Sequence, residues 1–388
     1  MKEDSAALCP DSVFYDWAFM KYTEVDIKYM QRAIALARKG GGFVHPNPLV
    51  GCVITKDNAV IAEGFHERYG GWHAERNAIN NCETDVCGAC LYVTLEPCCH
   101  YGKTPPCVDI IIEKGISRVV VGCLDPNALV AGKGIEKLIS AGVEVIVGVE
   151  EEEVKKLNKV FFKYITSNLP WVAMKYAMTL DGRITSQFRN SKWITNDEAR
   201  IFVHKLRAEM MSVMVGIGTV NADDPMLNVR LDNAAYQPIR IVVDTKASIS
   251  EFSNIVKSAD KYRTVIAHTE LAPSSKLVKL NDWGIETLCC EMVDNQVDIK
   301  SVLMELSKKS IDSVLVEGGA KLNTSILEAK CVDEVYAFIA PKIIGSADNL
   351  SPVLDLGFDN MKDAIGLKDI EIQLFNDNIL LNGRVDYK

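Results

Sequence analysis

The chain has 388 residues and a formal net charge of −9, and 48% of its residues are hydrophobic. This length predicts two domains, and the composition is typical of a globular protein with sizeable cores. The acidic balance argues against a nucleic-acid partner, because binding to phosphates favours a basic surface. No apolar run approaches the ~20 residues of a membrane span, so no membrane partner is expected. Twelve cysteines without a secretory leader predict a reducing compartment, the cytoplasm.

The first part of the chain alternates between helix and strand patterns after an N-terminal extension, residues 1–25, that lacks clear periodicity. Apolar residues at helical spacing predict a helix from Asp26 to Arg38, and three glycines end it. Later segments are predicted as two strands within 49–65, a helix from His73, a strand at 90–95, a helix from about Pro106, a strand at 118–123, a helix at 132–142 and a strand at 143–149. Strands alternating with helices imply a layered α/β domain, which we assign to residues 26–168.

The second part, residues 169–388, restarts the same alternation and predicts a second α/β domain. A strand at 171–179 is followed by a turn, and Asn196 or Asp197 is suited to cap the helix that comes next. The other predicted elements are strands at 212–218, 238–244, 264–268 and 312–317, a helix at 320–330 and a strand at 333–345.

The most informative segment runs from His73 to Cys107. His73 and Glu75 form an H-x-E pattern, Pro97 and Cys98 follow a predicted strand, and Cys107 follows two prolines. One imidazole and two thiolates suit a zinc ion that keeps a fourth position open for water. Zinc lowers the pKa of such a water to about 7, and in zinc deaminases of nucleobases an adjacent glutamate moves the protons. The segment therefore predicts hydrolytic removal of an amino group from a heteroaromatic ring, with Glu75 as the catalytic residue.

Spare cysteines leave a structural zinc site open as an alternative, because such a site usually has four protein ligands. The spare thiols nearby belong to Cys82, Cys87, Cys90 and Cys99. Cys87 and Cys90 form a C-x-x-C pattern that is also found in redox sites, and buried cysteines can act simply as small hydrophobic residues. We favour Cys98 and Cys107 as ligands because each is predicted near the N-terminus of a helix, where thiolates are stabilised.

The second half carries glycine and arginine patterns that are compatible with a phosphorylated ligand. Gly318 and Gly319 lie between a predicted strand and a helix, an arrangement that can bind phosphate but is more often a simple turn. Arg207 and Arg230 could form a bidentate phosphate clamp, although a single arginine is more often a surface residue. No G-x-G-x-x-G pattern follows a strand, so the common dinucleotide-binding fingerprint is absent.

From Asp26 to Lys388 the sequence resembles one family, the bifunctional riboflavin-biosynthesis deaminase–reductases. In the first half the motifs HPNPLVGCVI, HAE, VTLEPC, KTPPC and DPN carry the resemblance. In the second half it is carried by KYAMTLDGRI, SKWIT, GTVNADDP, RIVVD, VEGGAKL and APKIIG. The resemblance implies an α/β fold in which a cytidine-deaminase-like layered domain is followed by a dihydrofolate-reductase-like domain. The second domain would bind NADPH without the usual fingerprint, which accounts for the missing motif.

The resemblance also implies two reactions on a small-molecule substrate. A zinc-dependent hydrolase would deaminate 2,5-diamino-6-(5-phosphoribosylamino)pyrimidin-4-one, and an NADPH-dependent oxidoreductase would then reduce the ribosyl group to ribityl. His73, Cys98 and Cys107 are the implied zinc ligands, and Glu75 is the implied proton shuttle. Asn47 is expected to position the pyrimidine, with a turn residue between prolines as its alternative role. The pattern also places Lys103 at the substrate phosphate.

Several positions of the second half match ligand-contacting residues of the family. The implied substrate-binding set is Lys175, Ser191, Arg207, Leu227, Arg230 and Glu317. The implied cofactor-binding set is Ala177, Trp193, Thr219, Asp223, Thr245, Gly319 and Ala320. The choice of NADPH over NADH follows from the resemblance alone, and assembly into a homo-oligomer is left open.

Three other functions predict different features. A nucleic-acid-editing deaminase with an unrelated second domain predicts a basic, aromatic groove around the zinc site. A binding protein with an inactive deaminase fold predicts loss of the histidine, glutamate or cysteines, and none of these is lost. A monofunctional enzyme predicts a second domain that does not bind NADPH. We expect both activities, because both sets of site residues are present.

Overall fold

The computed structural model describes residues 22–127, 130–186, 193–232, 234, 236–345 and 351–387. The chain divides into two compact units. One contains the chain through Gly40 and Leu49–Asn158, and the other contains Gly41–Pro48 and the chain from Lys159 onward. Residues 41–48 and 159–168 were predicted in the first domain but belong to the second compact unit. The boundary between the two functional domains stays a prediction.

The first unit is a mixed sheet flanked by helices. Its described strands are β1 Gly51–Lys56, β2 Ala59–Phe65, β3 Cys90–Leu95, β4 Arg118–Cys123 and β5 Glu144–Val147. Its described helices are α1 Glu24–Ala37, α2 Ala74–Asn80, α3 Cys107–Glu113, α4 Lys133–Ser140 and α5 Glu151–Leu157, and a 3₁₀ segment, Arg38–Phe43, follows α1. The strand order is β2-β1-β3-β4-β5, in which β1 is antiparallel to both neighbours and β3, β4 and β5 are parallel. The predicted alternation of strands and helices is confirmed.

Helix α1 begins before the predicted Asp26 because Thr23 caps it. The Thr23 hydroxyl accepts from the N–H of Asp26 (3.3 Å), and the Asp26 carboxylate accepts from the N–H of Thr23 (2.8 Å). The same buried carboxylate accepts from Arg118 through Nη1 (2.8 Å) and Nη2 (3.2 Å), and from the Tyr92 hydroxyl (3.1 Å). Asp26 therefore joins the start of α1 to β3 and β4.

Two glycines allow helices to lie directly on this sheet. A Cβ at Gly51 would collide with the main-chain oxygen of Ala33 in α1. A Cβ at Gly64 would collide with the main chain of α2 at Ala74 and Ala78. The close approach of α2 to β2 fixes the first turn of that helix, where the predicted catalytic pattern begins.

The second unit contains a nine-stranded sheet and a two-stranded hairpin among its described residues. Its strands are β6 Trp171–Thr179, β7 Ser212–Gly216, β8 Ile239–Val243, β9 Thr264–His268, β10 Glu286–Cys289, β11 Met292–Val293, β12 Gln296–Val297, β13 Ser313–Val316, β14 Glu334–Ala340, β15 Gly366–Phe375 and β16 Asn378–Asp386. Its helices are α6 Lys159–Ser167, α7 Asp197–Glu209, α8 Ile217–Asp223, α9 Asn254–Lys257, α10 Ser274–Asp282, α11 Ile299–Lys308 and α12 Ala320–Glu328, and a 3₁₀ turn is at Met361–Asp363.

The large sheet has the order β10-β9-β8-β7-β13-β6-β14-β16-β15. Strands β10 to β14 in this order are parallel, and the hairpin of β16 and β15 is antiparallel. Alternate side chains of β6 enter two separate apolar cores, with Trp171 and Ala173 in one and Val172 and Met174 in the other. Helices therefore cover both faces, as parallel strands require. Across the described residues, none of the helices has the length and apolar character needed to cross a membrane.

Candidate active sites

Three metal-binding side chains meet beyond the C-terminal end of β3. His73 is the N-cap of α2, Cys98 follows β3, and Cys107 begins α3. His73 Nδ1 lies 3.5 Å from the Sγ atoms of both cysteines, and the Cys107 N–H donates to Cys98 Sγ at 3.3 Å. All three ligand atoms lie within 4.8 Å of one another. The structure thus brings together the three residues that the sequence predicts as zinc ligands.

The protonation of these side chains suits a divalent metal. Hydrogen bonds from Cys107 and His73 lower the pKa of Cys98 to about 4, although burial opposes the shift. The hydrogen bond to Cys98 and burial raise the pKa of Cys107 well above its usual range, because the pair resists a second negative charge. A metal cation removes that repulsion, since coordination deprotonates thiols. Two thiolates and one imidazole leave one position of a tetrahedral zinc site open.

The spare cysteines do not join this group within the described chain. Cys82 Sγ donates to the carbonyl oxygen of Ile61 at 3.6 Å, and Cys90 Sγ accepts from Arg118 Nη1 at 3.6 Å. Cys87 is exposed at the surface of the unit. The arrangement therefore favours Cys98 and Cys107 over the C-x-x-C pair.

Glu75 is buried in the first turn of α2, two residues after His73. The residue is 3% exposed, and Oε2 has no hydrogen-bond partner among the described residues. Burial raises the pKa of Glu75 to about 7, although the nearby His73 acts in the opposite direction. A buried carboxylate oxygen without a partner is costly, which indicates that a ligand or water completes the site.

Glu96, which precedes Pro97 in the zinc pattern, was not predicted as a site residue. It is buried, and its carboxylate accepts from the N–H groups of Asp125 (3.3 Å), Gly132 (3.0 Å) and Gly134 (3.0 Å). These bonds hold the DPN segment and the start of α4 against the end of β3, next to Cys98. A charged residue at the end of an apolar strand was the signal in the sequence that could have identified this role.

Lys103 lies on the exposed loop between the two cysteine ligands. Its ammonium is 3.7 Å from the ring centroid of Tyr69, a cation–π contact. Tyr69 belongs to the loop that leads to His73. In the same loop His66 packs edge-on against the His73 ring, with 5.4 Å between centroids, and the Trp72 carbonyl accepts from His66 Nδ1 at 3.0 Å.

Asn47 belongs to the segment Gly41–Pro48, whose contacts lie within the second unit. In this segment His45 is held by two acceptors: the Asp312 carboxylate lies 2.6 Å from Nδ1 and the Glu209 carbonyl lies 2.9 Å from Nε2. Burial opposes the charged imidazole, but the hydrogen bond with Asp312 raises the pKa of His45 overall. The His45 side chain therefore anchors this segment through two hydrogen bonds, and the role of Asn47 toward the pyrimidine stays a prediction.

The second unit contains two adjoining cavities near the C-terminal ends of β7 and β13. The first has a volume of about 440 Å³ and includes, of the predicted residues, Lys175, Ala177, Trp193, Arg207, Leu227, Arg230 and Glu317. The second, more apolar cavity has a volume of about 500 Å³ and includes Thr245 and Ala320. The residues that line both cavities are Ile184, Thr219, Asp223 and Gly319. The predicted residue Ser191 lies outside the described residues.

Glu317 joins two cations in the first cavity. Its carboxylate accepts from Arg207 Nε (2.5 Å) and Nη2 (3.1 Å) and from Lys175 Nζ (2.9 Å). Burial alone would raise the pKa of Glu317, but the charges of Arg207 and Lys175 hold it well below its usual range. Arg207 also donates through Nη1 to the Asn228 carbonyl (3.0 Å). Arg207 is thus oriented by protein groups before any substrate arrives.

The segment after α8 presents Leu227 and Arg230 to this cavity. Asp224 ends α8 with a positive φ of 42°, and its side chain accepts from the N–H of Asn254 at 2.7 Å. Leu227 also has a positive φ of 55°, an uncommon conformation for a leucine that marks a constrained turn. Asp223 lines both cavities, whereas Asp224 lines only the first and is exposed.

Trp193 is 61% exposed at the edge of the first cavity, and two basic residues hold it. Its ring lies over the Arg200 guanidinium at 4.4 Å. The Lys342 ammonium donates to the carbonyl oxygens of Trp193 (2.8 Å) and Ile194 (2.7 Å). Neither Arg200 nor Lys342 was predicted, because only the folded chain brings the APKIIG motif to Trp193.

Comparisons with known proteins give matches in both halves. The model of the RibD C-terminal domain matches residues 170–381, and that of the cytidine and deoxycytidylate deaminase zinc-binding region matches residues 23–123. The chain is 47% identical over 360 residues to the riboflavin biosynthesis protein RibD of Actinobacillus pleuropneumoniae, covering 93% of this chain and 95% of that protein. It is 40% identical to the RibD protein of Aquifex aeolicus, covering 92% of this chain and 98% of that protein.

Solved structures are similar over nearly the whole chain. A structure of Acinetobacter baumannii RibD has a TM-score of 0.85 at 36% identity and covers 94% of this chain and 99% of its own. A structure of a diaminohydroxyphosphoribosylaminopyrimidine deaminase/5-amino-6-(5-phosphoribosylamino)uracil reductase from Thermotoga maritima has a TM-score of 0.81 at 40% identity, covering 93% of this chain and 98% of its own. These matches confirm the predicted fold class, a deaminase-like α/β domain followed by a reductase domain.

Proposed function

The chain belongs to the RibD family, the bifunctional deaminase–reductases of riboflavin biosynthesis, and on this basis we propose how its residues carry out the two reactions. The predicted family, enzyme class and cofactors, zinc and NADPH, are confirmed by this membership. The match to the RibD C-terminal domain over residues 170–381 also removes the basis for an editing deaminase with an unrelated second domain. The assignment of individual residues and the division of the chain at residue 168 are our proposals.

The first reaction is the hydrolytic deamination of 2,5-diamino-6-(5-phosphoribosylamino)pyrimidin-4-one, which yields the corresponding uracil and ammonia. His73, Cys98 and Cys107 hold the zinc ion. When bound, zinc acts as a Lewis acid that makes water a nucleophile at neutral pH. The observation that supports this assignment is the convergence of one imidazole and two thiols within 4.8 Å beside a buried carboxylate.

Glu75 moves the protons of this reaction. Its carboxylate takes the two protons of the attacking water in turn and delivers one to a ring nitrogen and the other to the leaving amine. Burial keeps bulk water from competing for the unpartnered Oε2. Asn47 positions the pyrimidine and Lys103 meets the phosphate, which requires the Lys103 ammonium to leave the face of Tyr69.

The second reaction reduces the ribosyl group of the deaminated product to ribityl. Bound NADPH supplies the hydride. The apolar cavity holds the cofactor between the glycine-bearing end of β7 and the N-terminus of α12, and the polar cavity holds the ribotide. Thr219, Asp223 and Gly319 line both cavities, so the two ligands meet there. Hydride transfer needs mainly this alignment of donor and acceptor carbons, and we assign no nucleophile.

Location and assembly also remain proposals. We place the enzyme in the cytoplasm, where the many free cysteines of the described chain stay reduced. Its ligands are small molecules, and we propose no nucleic-acid partner. The edge strand β15 has a row of exposed aliphatic side chains, Ile370 (54%), Ile372 (68%) and Leu374 (67%). Light scattering of the purified protein decides whether this row is covered in a homo-oligomer.

Metal removal tests the division of labour between the two sites. Dialysis against a zinc chelator should abolish ammonia release from the diaminopyrimidine ribotide and leave NADPH oxidation with the deaminated ribotide unchanged. Added zinc should restore ammonia release. If chelation stopped NADPH oxidation and spared ammonia release, the assignment of the zinc residues to the deaminase would be wrong.

A further inference from the structure

One histidine of the polar cavity has had no role so far. His204 lies on α7 three residues before Arg207 and lines the same cavity as Arg207 and Arg230. Residues three apart in a helix lie on one face. His204 and Arg207 are therefore presented to the cavity together, and Arg230 reaches the same place from the segment after α8.

The hydrogen bonding of His204 defines which ring nitrogen can donate. The main-chain N–H of Arg230 donates to His204 Nδ1 at 3.3 Å. A nitrogen that accepts a hydrogen bond carries no proton, so in the neutral imidazole the proton is on Nε2. Nε2 is therefore the nitrogen that can donate to an oxygen atom of a ligand in this cavity.

The surroundings of His204 keep the imidazole neutral. Arg207 on the same helix and Arg230 on the neighbouring segment face it with positive charge, whereas the negative charge of Glu317 beyond β13 and a main-chain hydrogen bond with Asn228 act in the opposite direction and raise its pKa. Burial, Arg207 and Arg230 together lower the pKa of His204 to about 4. At neutral pH His204 therefore offers a hydrogen bond without a third positive charge.

The two arginines differ in whether their charge is paired with an acidic side chain. Arg207 is paired with the Glu317 carboxylate through two bonds. Arg230 donates through Nη1 to the neutral side-chain oxygen of Asn228 at 2.9 Å. The charge of Arg230 is therefore available to an anion in the cavity, and His204 lies beside it.

We propose that His204 is a further substrate-binding residue of the reductase site, which donates a hydrogen bond from Nε2 to the phosphate of the ribotide at Arg230. A phosphate has both features that this corner of the cavity matches, negative charge for a guanidinium and acceptor oxygens for an N–H group. The inference rests on the proposed reductase function and deepens it by assigning the phosphate end of the substrate. Neutral His204 and cationic Arg230 then share the recognition of one anion.

The test is the binding of ribose 5-phosphate to the full-length protein by calorimetry, together with reductase kinetics on the deaminated ribotide. His204→Leu should weaken ribose 5-phosphate binding about tenfold, which corresponds to ~1.4 kcal/mol. The same variant should raise KM for the ribotide to a similar extent and leave kcat and KM for NADPH unchanged. His204→Gln retains a neutral N–H donor and should stay within about threefold of the wild type. Lys205→Gln, on the exposed side of α7, is the matched control and should bind as the wild type does.

The outcomes separate this inference from the proposed function. Unchanged ribose 5-phosphate affinity in His204→Leu would overturn it, as would an equal loss for a ribotide analogue that lacks the phosphate. The wild type and His204→Gln should show parallel profiles of KM between pH 6 and 8, and a step found only in the wild type would contradict the neutral imidazole. If the wild type binds ribose 5-phosphate but does not oxidise NADPH, the reductase function fails and the binding data still decide the role of His204.

Discussion

Replacing Glu317 with glutamine should destabilise the second unit by removing the negative charge that pairs with Arg207 and Lys175 in a buried cluster. The side chains of Glu317, Arg207 and Lys175 are 7%, 11% and 16% exposed. Glu317→Gln keeps the shape of the side chain but leaves two buried cations facing a neutral amide. Removing one partner of a buried ion pair costs ~3–5 kcal/mol, so the free energy of unfolding of this unit should fall by about 4 kcal/mol. For a unit of this size that loss lowers the melting temperature by roughly 10 °C.

Thermal melting followed by tryptophan fluorescence measures this loss. Trp171 and Trp283 belong to the second unit and report on its transition. Glu305→Gln is the matched control, because Glu305 pairs with Lys308 on the exposed face of α11 and such pairs contribute about 0–1 kcal/mol. A Glu317→Gln protein that melts together with this control would refute the reasoning that the three buried charges stabilise one another.

Further predictions concern the first unit. Glu75→Gln should reduce ammonia release by roughly 10²–10⁴-fold, because an amide cannot carry the proton, while zinc content and reduction of the deaminated ribotide stay unchanged; undiminished ammonia release would contradict its role. Cys98→Ser should lower the zinc content measured by plasma emission and Cys87→Ser should not, and the reverse result would make the ligand choice wrong. Burial opposes ionisation of Asp26, yet hydrogen bonds from Arg118 and Thr23 lower its pKa to about 2. Its stabilising effect is therefore present above about pH 4 and lost as pH falls toward 2, so acid should destabilise the wild type more than Asp26→Asn; equal loss on acid titration followed by circular dichroism would count against this.

The meeting of His73, Cys98 and Cys107 could be predicted from the sequence because the three residues lie in one short segment. The spacing of His73, Cys98 and Cys107 around one strand and two helix starts already places the three ligands at one end of β3. Local rules of helix termini sufficed to prefer these cysteines over Cys87 and Cys90. The role of Glu96 was missed because its partners are main-chain N–H groups, which no sequence pattern marks.

The residues of the proposed reductase site were predicted only as a set, and only through the family resemblance. Its central contact joins Lys175 of β6, Arg207 of α7 and Glu317 after β13, three elements far apart in the chain. Their meeting depends on β13 lying between β6 and β7, an order that periodicity does not reveal. The partner of His45 is likewise distant, since Asp312 follows it by 267 residues.

The C-terminal hairpin of β15 and β16 was not predicted from the sequence. Its apolar residues alternate and a turn at Asn376 separates them, so a strand signal was present in the sequence. Strand β15 lies at the edge of the sheet and most of its side chains are exposed. The alternation of apolar and polar residues along it therefore does not correspond to a buried face and an exposed face. The pattern alone therefore could not indicate which face of this hairpin is covered.

A split assay on the purified protein tests the central claim most directly. The diaminopyrimidine ribotide is supplied with and without NADPH, while ammonia and the absorbance of the nicotinamide are followed together. The account predicts ammonia release without NADPH, and NADPH oxidation only after deamination has produced the uracil ribotide. Ammonia release without any NADPH oxidation would contradict the reductase assignment, and absence of ammonia from zinc-loaded protein would contradict the deaminase assignment.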